Sequence, residues 1–162
     1  MSAARSIFDT LQERLAPTAG PGSVAHGILV FALPPDALLP TVRQLRDEHG
    51  FDMFLDVTAI DWVDQVPRFE VVYHFYSTAH KVRVRLKTRV AEADPGVDSL
   101  TPLYGSAAFM ERECHDMYGI RFRGNADLRP ILLYEGFVGH PLRKDYPKQQ
   151  EQPLVPYRDA PR

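Results

Sequence analysis

Cysteine is nearly absent from this chain of 162 residues. Cys114 stands alone, which excludes an internal disulfide and any metal site built on a cysteine cluster. Long apolar runs are missing too. The longest, residues 28–33, falls far short of the ~20 residues needed to span a bilayer. Neither sign of charge dominates: Lys+Arg 19 against Asp+Glu 21 leaves a net charge of -2, without the global signature of a nucleic-acid binder. The first residues, MSAARSIFDT, hold no apolar h-region, so no secretory signal is expected. No GxGxxG, P-loop, nucleophile elbow or CxxC occurs, and the GFVG run at 136–139 is too short to cradle phosphate and precedes no amphipathic helix. Apolar residues, at 44%, nonetheless suffice for a core without staples.

Proline, by contrast, is plentiful. Of 14, Pro130, Pro141, Pro147, Pro153, Pro156 and Pro161 follow Asn125, where helix and strand patterns give out. Upstream the patterns are clear. Residues 6–15 predict a short helix with Ile7, Phe8, Leu11 and Leu15 on one stripe, and 17–22 form a breaker cluster. A strand is expected over 25–33, then a helix over 36–49 with Leu38, Val42 and Leu45 on one face and Gly50 at its end. Strands over 53–60, 68–76 and 81–90, joined by short gaps, predict an antiparallel meander. Its middle strand is apolar on both faces, which predicts cover on the second face as well. Residues 94–104 are turn-rich, and Ser106 is placed to cap a helix over 107–118 closed by Gly119. The fold class expected is α+β: a two-layer sandwich, mainly antiparallel sheet with helices on one face, plus an extended Pro-rich C-terminal segment. The division expected is an α+β domain over 1–124, with its signature helix at 106–118, and an extended loop and tail over 125–162 packing on partner subunits. In that tail Leu154 and Tyr157 are candidate anchors of a strap.

The third helix carries most of the information. At about 100° per residue, Ala107, Met110, Cys114, Met117 and Tyr118 share a core-facing arc, leaving Glu111, Arg112, Glu113, His115 and Asp116 on the polar side. Phe109 lies among them, which predicts that this second face is also covered, by another segment or another chain. Glu113 and Asp116 sit near the helix C-terminus, where the macrodipole disfavours carboxylates. Cationic partners are therefore expected: Arg112 to Asp116 at i,i+4, with Arg121, Arg123, Arg129, Arg143 and Lys144 as downstream candidates. Three readings stand. An acid/base site would use Glu111, Glu113, His115 and Asp116, but these spread too widely round the helix to converge. A metal site would use Glu111 and His115 with His140 and Asp145, without any HExxH or paired ExxH spacing. The residues favour the third reading, ion pairs that lock the following loop and build a partner surface. The basic stripe Lys81, Arg83, Arg85, Lys87 and Arg89 reads either as a surface for RNA or phosphate, or as cations guarding an edge strand.

The run ERECHDMYGI at 111–120, with DLRPIL at 127–132 and GFVGHPLRKDYP at 136–147, closely resembles the signature of the complex I 30-kDa subunit family, the C subunit of bacterial NADH-quinone oxidoreductase. LDVTAID at 55–61 is similar to a weaker stretch of the same family. One departure is visible: Asn125 stands where the usual signature has His or Lys, which implies a changed loop contact. The resemblance implies a non-catalytic scaffold subunit in the peripheral arm of a proton-pumping NADH:quinone oxidoreductase. Such a subunit binds no cofactor of its own, and FMN and iron–sulfur clusters are expected on its partners. Its chief partner would be the 49-kDa (D) subunit near the quinone-reducing region. It would bind no nucleic acid and would meet the cytoplasmic side of the inner membrane only through the complex. The residues implied at the partner interface are Phe109, Glu111, Arg112, Glu113, Asp116, Gly119, Arg129, His140, Pro141, Leu142, Arg143, Lys144, Asp145 and Tyr146, with none catalytic and none on a metal. The alternatives are the equivalent subunit of a membrane-bound hydrogenase or ferredoxin-fed complex, and a free-standing hydrolase using the Glu/His/Asp cluster. A form fused to the 49-kDa subunit is not expected for the sequence as given.

Overall fold

Alternating apolar residues in two adjacent strands set the plane of the structure, a computed structural model that describes residues 3–149. Phe69, Val71, Tyr73 and Phe75 all point to one side of β4 (Phe69–Ser77), opposite Val90, Thr88, Leu86 and Val84 of β5 (Val82–Val90). With β1 (Ser23–Ala25), β2 (Ile28–Ala32) and β3 (Met53–Asp61) they form a five-stranded sheet in the order β1-β2-β5-β4-β3. Only β2 and β5 run parallel; the other pairs are antiparallel, as the meander predicts. Three helices add their apolar stripes to that one buried face: Leu11 and Leu15 from α1 (Ala3–Ala19), Leu38, Val42 and Leu45 from α2 (Leu38–His49), Ala107 and Cys114 from α3 (Ala107–Tyr118). Tyr104 closes the core by donating its hydroxyl to the Phe51 carbonyl at 2.7 Å and setting its ring against Phe54 and Phe75. This is the α+β sandwich with helices on one face that the sequence predicts.

Several details differ. The helix expected over 6–15 runs through Pro17 to Ala19, and the strand expected over 25–33 is a tight β1–β2 hairpin turning at His26 and Gly27. The turn-rich stretch holds β6 (Gly96–Asp98), paired in parallel with β7 (Arg121–Arg123). Strands of three residues are too short for periodicity to reveal. Ser106 has helical backbone angles and makes no side-chain cap bond; the preceding turn starts α3 instead, with the Ala107 and Ala108 amides donating to Tyr104 and Gly105 carbonyls. No helix among the described residues covers the second face of β4. There Val72 is nonetheless buried, between its cross-strand neighbours Lys87 and Thr58.

Residues 125–149 contain no helix or strand. The tail anchors Leu154 and Tyr157 lie outside the described residues. Leu86→Ala should lower stability by about 2–5 kcal/mol, whereas Arg83→Ala on the opposite face should change it by less than about 0.5 kcal/mol. Urea unfolding of the two variants checks that the sheet is buried on one side only.

Candidate functional site

A helix leaves its last carbonyls without intrahelical donors, and in α3 these are taken up almost entirely by the loop that follows. Gly119, at φ 74°, ends the helix, its N–H donating to the His115 carbonyl. The Asp116 carbonyl accepts from His140 Nδ1 at 2.9 Å, the Met117 carbonyl from the Leu142 amide at 3.2 Å and the Tyr118 carbonyl from Arg143 Nε at 2.7 Å. Pro141 has no amide to offer, so the side chains on either side of it and the Leu142 amide share the task. A Cβ on Gly119 would lie 2.5 Å from both the His140 and the Arg143 side-chain nitrogens, so only glycine leaves room for this cap. Burial lowers the His140 pKa, with Arg143 adding to the effect, which favours the neutral ring with Nδ1 donating.

The carboxylate of Asp116 performs the reverse task. One of its oxygens accepts the amides of Ile131, Leu132 and Leu133 at 2.8, 2.9 and 3.3 Å. This corrects the expectation of a cationic partner: three backbone dipoles offset the unfavourable helix end, forming a nest around the anion. Arg112 does not reach back to Asp116. Its guanidinium donates to the Arg129 and Pro130 carbonyls, both at 2.8 Å, and so pins the start of the same segment. Glu113 is exposed and makes no ion pair among the described residues. None of the five downstream cations goes to either carboxylate. Arg121 pairs with Asp94, Arg123 with Asp98 and Arg129 with Asp127, while Arg143 binds the Tyr118 carbonyl and Lys144 donates its amide to Asp61. Phe109 is left 62% exposed, so no described segment covers it.

Glu111 is fully buried, although the helical wheel assigns it to the polar side. Its carboxylate accepts from the Ser99 hydroxyl at 2.7 Å, the Leu100 amide at 2.6 Å and Asn125 Nδ2 at 2.9 Å. Burial raises its pKa and these donors oppose the rise. Asn125 thus has a definite contact: it ties the start of the loop to the helix by a neutral donor.

Arg68 is the residue that sequence reasoning misses. Buried at the start of β4, it forms a two-point pair with Asp61 (2.8 Å for both Nε–Oδ1 and Nη2–Oδ2) and extends to Glu92 at 2.6 Å and Asp145 at 2.8 Å. Lys144 adds its amide to Asp61 at 2.8 Å, so the far end of the loop is fixed to the sheet. Arg143 lies over the Phe69 ring at 4.9 Å, and Tyr146 stacks on Phe137 at 6.0 Å. The Arg68 guanidinium holds the Asp61 and Asp145 carboxyls below their ordinary range. The signal available in the sequence is a charged residue opening an otherwise apolar strand.

Chemically, this arrangement ties helix, loop and sheet of the chain to one another. Glu111 and Asp61 spend both oxygens on internal donors and Asp116 spends one, and no group of three His, Cys, Asp or Glu side chains among the described residues could hold a metal ion.

Asp116→Ala should free the amides of 131–133, raising their hydrogen-exchange rates and lowering stability by about 1–3 kcal/mol. Acid should also weaken the Asp61–Arg68 clamp. A carboxyl held below its unfolded value of about 3.9 contributes stability above that pH and loses it as pH falls through the depressed value. Melting temperatures taken from pH 5 down to about pH 2 should therefore fall more steeply for the wild type than for Asp61→Asn.

Comparison with known proteins agrees with this geometry. The family described as "Respiratory-chain NADH dehydrogenase, 30 Kd subunit" matches residues 31–152. In Rhizobium meliloti (strain 1021), the second C subunit of NADH-quinone oxidoreductase is 46% identical over 125 residues, covering 76% of this chain and 68% of that protein. The C subunit of the same enzyme in Citrifermentans bemidjiense is 42% identical over 139 residues, covering 86% of each. Among solved structures, the trypsin-resistant fragment of Nqo5 superposes with a TM-score of 0.68 at 28% identity, covering 75% of this chain and 99% of that one. A chain of the membrane-bound sulfane sulfur reductase, an archaeal respiratory membrane complex, gives a TM-score of 0.78 at 27% identity, covering 90% and 86%. By matched length and by identity alike, the chain belongs to the respiratory-chain NADH dehydrogenase 30-kDa subunit family.

Proposed function

We propose that this chain is a cofactor-free scaffold subunit in the peripheral arm of a proton-pumping NADH:quinone oxidoreductase, packed against the 49-kDa (D) subunit near the quinone-reducing region. The observation that carries this reading is the structural use of most of the signature's polar residues. The last turn of α3 and the loop over 125–149 spend their polar groups on one another, leaving apolar side chains outward: Phe109 at 62%, Leu132 at 62%, Val138 at 67% and Leu142 at 52% exposure. Apolar exposure on a rigid, polar-braced unit suits a permanent partner. The 49-kDa subunit is the partner that the family resemblance implies. Electrons pass from NADH to quinone through FMN and iron–sulfur clusters on other subunits.

No helix among the described residues is long and apolar enough to cross a membrane. Attachment at the cytoplasmic face of the inner membrane would therefore run through partners. The free-standing hydrolase is disfavoured because its candidate groups do not converge: Glu111 is buried against Ser99, Leu100 and Asn125, Asp116 is turned to the amides of 131–133, and Glu113 stands exposed. The hydrogenase-type alternative is disfavoured because the curated relatives are subunits of NADH-quinone oxidoreductase.

Affinity purification of the tagged chain from detergent-solubilised membranes should recover flavin and iron–sulfur subunits, and a photo-crosslinker at Leu132 should mark the 49-kDa subunit. Asp116→Arg should reduce the amount of assembled complex several-fold while leaving NADH:quinone turnover per assembled complex near wild type. Normal assembly with lost turnover would overturn the scaffold reading, and cross-links confined to other subunits would overturn the assigned partner.

A further inference from the structure

The cations of β5 lie on the sheet face that the helices leave open. Arg83, Arg85, Lys87 and Arg89 occupy alternate positions, opposite Tyr76, His74, Val72 and Glu70 of β4. Such charges are often explained as protection of an exposed edge. That explanation fails here, because β5 is an interior strand with β2 on one side and β4 on the other. Ordinary solvation accounts for them no better. Alternate residues on one strand stand about 6.6 Å apart, so the four cations repel one another. The face offers two carboxylates against them, Glu70 and Asp56, giving a local excess of two positive charges on a chain whose net charge is -2.

Two of the four cations are engaged. Lys87 pairs with Glu70 at 3.2 Å, and Arg89 binds the Pro67 carbonyl and Gln65 while lying over Trp62. Arg83 and Arg85 make no ion pair and no side-chain hydrogen bond among the described residues, and Nε of Arg85 is buried without an acceptor. His74, opposite Arg85 and Asp56, has its pKa lowered by burial and by the neighbouring arginine, so it adds no second cation near neutral pH. Beside these groups the same face exposes Met53 (44%) and Ile60 (37%) on β3. Two free guanidiniums with an apolar margin match one or two carboxylates on a folded partner. A nucleic acid would call for a longer run of phosphate contacts, with aromatic side chains open for stacking. Tyr76 on this face is half-buried, and so is Trp62, with Arg89 and Lys144 over its ring.

We propose that the open sheet face centred on Arg83 and Arg85 docks an acidic segment of a neighbouring protein subunit, with its carboxylates seated on the two guanidiniums. This rests on the chain's membership of a multi-subunit complex and adds a second contact surface, separate from the α3 and loop unit.

The test uses the tagged full chain in its native complex. Arg83→Glu/Arg85→Glu should reduce recovery of partner subunits at least tenfold at low salt, Arg83→Lys/Arg85→Lys should restore most of it, and the melting temperature of the isolated chain should stay unchanged. A benzoylphenylalanine at position 83, incorporated into the assembled complex, should cross-link to a peptide rich in Asp or Glu. Undiminished recovery of the charge-reversed chain overturns the proposal. So does a cross-link to RNA, to lipid or to a peptide without acidic residues, or the absence of any cross-link. If the charge-reversed chain is unstable, the position-83 cross-link decides alone. A wild-type chain that recovers no partner overturns the complex assignment as well, which separates the two failures.

Discussion

The last turn of α3 is the point on which the rest of the molecule depends. A helix end needs donors for its carbonyls, and a 25-residue stretch without secondary structure (125–149) needs acceptors for its amides. Here each supplies the other. His140, Leu142 and Arg143 cap the helix from outside, and Asp116 gathers three loop amides from within. Neither half is satisfied without the other, so the loop takes its shape from the helix end and from Arg68 on the sheet. The placement of Arg143 is favourable twice over, since its cation meets both a bare carbonyl and the negative end of the helix dipole.

Two buried carboxylates show how environment sets chemistry. Asp61 has a guanidinium in two-point contact and is held below the ordinary range; Glu111 has three neutral donors and no cation, and burial drives it upward. In an enzyme, carboxylates pushed in opposite directions can mark an acid and a base. Here the oxygens of each are already committed to protein donors. The perturbations record how loop, helix and sheet are joined.

The legibility of this structure in its sequence follows length and symmetry of environment. Strands of nine residues with one buried face declare themselves by alternation, and Gly50 and Gly119 mark helix ends because an L side chain is strained at positive φ. The three-residue β6 and β7 carry no such period. The helical wheel fails at Glu111 for a different reason. It assumes one core-facing arc, whereas α3 is wrapped on a second side by Ser99, Leu100 and Asn125, which turn a polar position into an interior one. Pairing rules fail similarly at Asp116 and Arg112: they assign each an opposite charge, and both instead take backbone groups of the loop. Those partners lie 15 to 18 residues away, at separations that no local pattern encodes.

The distribution of unspent groups then separates stability from function. Most polar side chains that join α3 to the loop are satisfied internally, while Phe109, Leu132, Val138 and Leu142 are exposed on that unit. On the opposite side of the sheet the situation is inverted: the apolar side chains are turned to the core and the outward offering is charge without a counter-charge. The exposed groups thus fall on two surfaces of different chemistry, one with apolar side chains and one with cations, with the sheet between. On the scaffold reading proposed above, such a division would let each surface select its own partner by a different force.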